Sequence, residues 1–145
     1  MLTAMKQPRV FVREISNDEV HVGLRDDGII HINFKPNTEI NLEFQSVLLS
    51  FIVELVGDKK SLIIYEGGEF ISVTKEAREN AIVIEEQTPT MASVVVVKNL
   101  AQKIIADFYY FVNKPKRPFK VFWDFDKGIE WLHSIEESSQ VLNKN

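Results

Sequence analysis

At 145 residues, with 45% hydrophobic and 26% charged side chains, the chain has the size and balance of one ordinary globular domain. It has no cysteine, which excludes disulfide frameworks, thiolate zinc sites, iron–sulfur clusters and cysteine nucleophiles. A formal net charge of −4 sets the overall field against phosphate backbones, so nucleic acid is not an expected partner.

Residues 1–9 lack the apolar core of a signal peptide, being interrupted by Lys6, Gln7 and Pro8. The apolar stretch 47–56 is broken by Ser50 and Glu54, and the Val94-Val95-Val96-Val97 run is too short to cross a bilayer, so no membrane span and a cytoplasmic location are expected. Residues 1–18 read as an N-terminal extension in which Val10-Phe11-Val12 is a candidate short strand.

Residues 19–35 alternate apolar and polar side chains around Asp26-Asp27-Gly28, the pattern of a β-hairpin. A three-residue loop with Gly28 in the left-handed conformation sets Leu24 opposite Ile30, Val22 opposite Ile32 and Val20 opposite Phe34, giving one apolar face. A two-residue loop would mix the faces. Past Pro36, the residues Phe44, Val47, Leu48, Phe51, Ile52 and Leu55 recur at helical spacing, with Asn41 as N-cap and Gly57 as stop. Ser61-Leu62-Ile63-Ile64-Tyr65 follows as a buried strand.

Gly67 and Gly68 open a loop, and Ser72 to Thr74 offer caps for a second helix over residues 75–82. After Thr88-Pro89-Thr90, the valine run is expected in the middle of the sheet, covered on both faces. Asn99 caps a third helix whose stripe of Leu100, Ile104, Phe108 and Phe111 is expected to face the core, while Tyr109 and Tyr110 fall off it toward a groove or a subunit contact. Residues 119–123 form a last strand, and Asp124 caps a helix carrying Ile129, Leu132 and Ile135 inward. The tail 137–145 is expected to fray. Residues 19–136 thus form one α/β domain with a mixed sheet of four or five strands, an N-terminal β-hairpin and about four helices.

Asp27-Gly28-Ile29-Ile30, the Asn113-Lys114-Pro115 loop, Phe122 with Asp124 and then Ile129-Glu130-Trp131-Leu132, and Lys75-Glu76-Ala77-Arg78 at the second helix occur in an order that resembles the SpoIIAA-like superfamily. That grouping of small bacterial domains includes STAS domains and relatives of CRAL/TRIO domains. The resemblance implies binding and regulation more than catalysis, and carries no active site with it. In anti-sigma-factor antagonists of the superfamily a serine at the start of the second helix, in an Asp-Ser context, is phosphorylated. Here that stretch is Ile71-Ser72-Val73-Thr74, without the aspartate, so Ser72 and Thr74 stand as candidates for phosphorylation or for helix capping.

Lys114, Lys116, Arg117 and Lys120 beside Tyr109, Tyr110 and Trp123 form a candidate contact for an anion or ligand. His21 and His31 share a strand face with Glu19 and Asn33; such groups can bind a metal, but solvated strand residues is the reading adopted, and His133 has no evident partner. No metal, cofactor or catalytic residue is assigned. The expected function is a non-catalytic STAS-like domain acting through a protein partner or small ligand, with a homodimer open to it. The alternatives are a carrier of lipid or another hydrophobic small molecule and, last, a small hydrolase or transferase.

Overall fold

The computed structural model describes residues 11–143. Three antiparallel strands begin it, β1 (Phe11–Ser16), β2 (Val20–Arg25) and β3 (Ile30–Phe34). Gly28 makes the β2–β3 turn at φ 86°, a conformation that side chains bearing a Cβ resist. Arg25 donates its N–H to the Ile29 carbonyl at 2.9 Å, and Gly28 donates to the Arg25 carbonyl at 3.0 Å, closing the expected three-residue loop. Leu24 pairs with Ile30, Val22 with Ile32 and Val20 with Phe34, the register that the alternation requires.

The chain then runs through β4 (Glu39–Ile40), α1 (Leu42–Val56), β5 (Ser61–Gly67), β6 (Ser72–Val73), α2 (Lys75–Gln87), β7 (Thr90–Val96), α3 (Leu100–Asn113), β8 (Phe119–Phe122) and α4 (Phe125–Asn143). Among the described residues the main sheet has six strands in the order β1-β2-β3-β5-β7-β8, parallel from β3 onward, and β4 pairs with β6 as a separate parallel ribbon.

Several expectations are corrected. The sheet has six strands rather than four or five because β1 adds to the hairpin edge, inside the segment read as an extension. Val10, the first residue of that candidate strand, lies outside the described residues. The valine strand β7 is next to last in the sheet, and β3 and β5 hold the middle. Helix α2 extends to Gln87 rather than ending at Ile82, since the breaker that matters is Pro89. Helix α4 continues past Glu137 to Asn143.

Each face of the sheet builds its own core. Val20, Val22, Ile30, Ile32 and Ile63 meet Phe44, Ile52 and Leu55 of α1. On the opposite face Ile29, Leu62, Ile64, Ala92, Val94 and Val96 meet Leu132 of α4. Burying each large aliphatic side chain contributes roughly 1.5–3 kcal/mol. Asn41 starts α1 by accepting the Phe44 N–H at 2.8 Å, and Gly57 ends it at φ 63°. Buried Gln45 ties α1 to α2, donating to the Ala77 carbonyl at 2.9 Å and accepting from Asn80 at 3.1 Å. Helices α1, α2 and α3 form one layer, with α2 touching both neighbours, and α4 covers the other face.

Candidate functional site

Helix α3 begins where the Asn99 side chain accepts the Gln102 N–H at 2.9 Å. Its roll about its own axis is set by Gln102, which donates to the Gly68 carbonyl at 3.1 Å and accepts the Lys98 N–H at 2.8 Å. Those bonds turn the Gln102 side of the helix inward, together with buried Ala106 and with Tyr109, whose ring lies 5.3 Å from that of Phe119. Burial, helped by the nearby charge of Glu85, pushes the Tyr109 hydroxyl up to about 12, so it stays neutral.

The expected core stripe therefore points the other way. Leu100 is 68% exposed, Ile104 60%, Phe108 51% and Phe111 70%. Ile105 and Tyr110 widen the exposed face, and Ile82 and Val83 of α2 are exposed as well. The Arg78 guanidinium of α2 lies 5.8 Å over the Phe108 ring. Periodicity identified the residues that share this face; nothing local to it says which side meets the sheet.

The structure divides the basic–aromatic candidates rather than joining them. Lys114 ends α3 in the left-handed conformation, φ 50°, and lines a recess with Tyr110, Phe111 and Pro115. Lys116 meets the Glu86 carboxylate at 3.1 Å and Arg117 donates to the Glu85 carbonyl at 2.6 Å, so both strap the loop to the end of α2. Lys120 lies over the rings of Phe122 and Trp131, on the α4 side of the sheet. Trp123, 57% exposed, sits at the far end of β8 from the Lys114 loop.

Thr74 caps α2, its hydroxyl accepting the Ala77 N–H at 3.1 Å. Ser72 lies two residues earlier on β6, exposed, with its N–H given to the Thr38 carbonyl.

Every histidine meets a carboxylate. His21 pairs with Glu14 at 2.7 Å, His31 with Glu66 at 2.5 Å, and His133 with Asp27 at 3.2 Å. Two expectations fall here: His31 is only 4% exposed rather than solvated, and His133 has a partner. The His31 ring stacks on Phe11 and meets Phe125 edge-on, and Phe11 reaches it by lying across Gly23, where a Cβ would come within 2.5 Å of the ring. The hydrogen bond from His31, with Lys98 at 3.3 Å from the other oxygen, outweighs burial and holds Glu66 at about 2. His31 Nδ1 is buried without a hydrogen-bond partner among the described residues. Burial works against the charge of Asp27, but Arg25, the Ile29 N–H and His133 keep its carboxyl below its usual range. Among the described residues no three His, Asp or Glu side chains are grouped to hold a metal ion, and no helix is long and apolar enough to cross a membrane.

Among the described residues a mixed six-stranded sheet opened by a hairpin and flanked by four helices makes a SpoIIAA-like α/β fold. The crystal structure of an uncharacterised protein of the DUF3478 family from Shewanella loihica PV-4, with a SpoIIAA-like fold, is similar over 81% of this chain and 98% of that one, at a TM-score of 0.57 and 12% identity. Residues 23–136 match the family model of the domain of unknown function DUF7793, and the chain belongs to that family. No curated protein matches it.

Proposed function

We propose that this domain works without catalysis, as a regulatory or binding module that holds a protein partner on the outward face of α3. The supporting observation is the exposed stripe of Leu100, Ile104, Phe108 and Phe111, fixed outward by the Gln102 hydrogen bonds. Keeping that much apolar surface in water is unfavourable by roughly 25 cal/mol per Å², and a partner's apolar surface relieves it.

Ile104→Glu and Phe108→Glu test the reading, because neither side chain belongs to a buried core and both variants should keep the wild-type circular dichroism spectrum. A partner captured from the source organism, then purified and titrated, is expected to bind each variant at least about tenfold more weakly, about 1.4 kcal/mol. Binding equal to wild type would overturn the reading.

A further inference from the structure

Ala101, Ile104, Phe108 and Phe111 follow one another at intervals of three, four and three residues, the a/d spacing of a helix–helix seam. All four are exposed. The seam is graded, small at the start of α3 and aromatic at its end. Two such helices laid antiparallel about a twofold axis set Ala101 against the partner's Phe111 and Ile104 against the partner's Phe108, so every layer pairs a smaller side chain with a larger one. A parallel pair would crowd phenylalanines at one end and leave a gap between alanines at the other. Tight packing favours the first arrangement.

None of the four seam positions is itself charged, and the Arg78 guanidinium over Phe108 lies at the border of the seam. The Lys103–Asp107 ion pair keeps both charges on the helix flank. Antiparallel pairing also sets the two helix dipoles in opposition.

The area reaches the lower end of what a dimer takes. Leu100, Ile104, Phe108 and Phe111, with Ile82 and Val83 of α2, are each exposed by a third to two thirds or slightly more. At about 150–200 Å² for a large side chain this is on the order of 600 Å². A standard interface takes about 800 Å² from each partner, and the largest apolar patch on a typical monomer is roughly 300–600 Å².

We infer that α3 is a dimerisation helix and that its occupant is the α3 of a second copy, packed antiparallel through Ala101, Ile104, Phe108 and Phe111. The inference rests on the reading of α3 as a docking face and names what docks there.

Light scattering on the full chain at about 100 μM, well above the micromolar range of ordinary weak association, is expected to give twice the chain mass. Ile104→Glu and Phe108→Glu should give the monomer mass. Because the chain has no cysteine, thiol cross-linking can report orientation: the double variant Ala101→Cys/Phe111→Cys should be trapped as a dimer by a short thiol cross-linker, and Ala101→Cys alone should not. A dimer trapped through Ala101→Cys alone, or one that survives both glutamate variants, overturns the antiparallel pairing. A monomeric wild type also overturns it. If the captured partner of that monomer is still lost with Phe108→Glu, the docking reading stands without self-pairing; if it is retained, both fall.

Discussion

Glu66 accepts a hydrogen bond from His31 through one carboxylate oxygen and meets Lys98 with the other, where its own side chain is nearly shielded from water. Its folded value of about 2 lies below the ordinary 4.5, so the charged form stabilises the fold. That stabilisation is fully present above the ordinary value and is lost as pH falls toward the folded one. In denaturant unfolding, wild type should lose on the order of a few kcal/mol as pH is taken from about 4.5 to about 2. Glu66→Gln should start less stable at neutral pH and show a flatter profile across that window; an unchanged profile would contradict the assignment. Gly28 acts through the backbone alone. Gly28→Ala at φ 86° should lower stability by about 1–2 kcal/mol, read as a fall of several degrees in thermal midpoint.

Among the elements, the hairpin was readable residue by residue because a one-residue slip would exchange its apolar and polar faces. The caps Asn41, Thr74, Asn99 and Asp124 were equally readable, each accepting an N–H three residues on. Helix α3 was not. Helical spacing groups Leu100, Ile104, Phe108 and Phe111 on one side, but the roll of the helix depends on Gln102 reaching the carbonyl of Gly68, a residue thirty-four positions away. The same kind of distant bond hid His31, whose partner Glu66 comes from another strand. The α1–α2 contact offers a test of such bonds. Gln45→Leu leaves the Ala77 carbonyl and the Asn80 amide without this partner, and should cost about 1–3 kcal/mol in chemical denaturation while the circular dichroism of the folded state is retained.

At the scale of the molecule, the α/β class, the hairpin and the parallel crossovers follow from the order of periodic segments. The place of β7 does not. Its valines read as a fully covered central strand, yet their burial alternates along β7, with Ala92, Val94 and Val96 packed toward α4 and Ser93 and Val95 only partly covered on the α3 side. The two rims of the sheet carry a separate consequence. A register shift between Phe11 and Arg13 kinks β1, and Arg13 and Glu14 stand exposed along it. At the opposite rim β8 has four residues and follows Pro118 directly. Kinks, charges, short strands and proline all hinder a foreign strand from extending a sheet. The molecule thus guards its hydrogen-bonding edges against fibre-like stacking, and leaves the helical layer as the side on which to meet other chains.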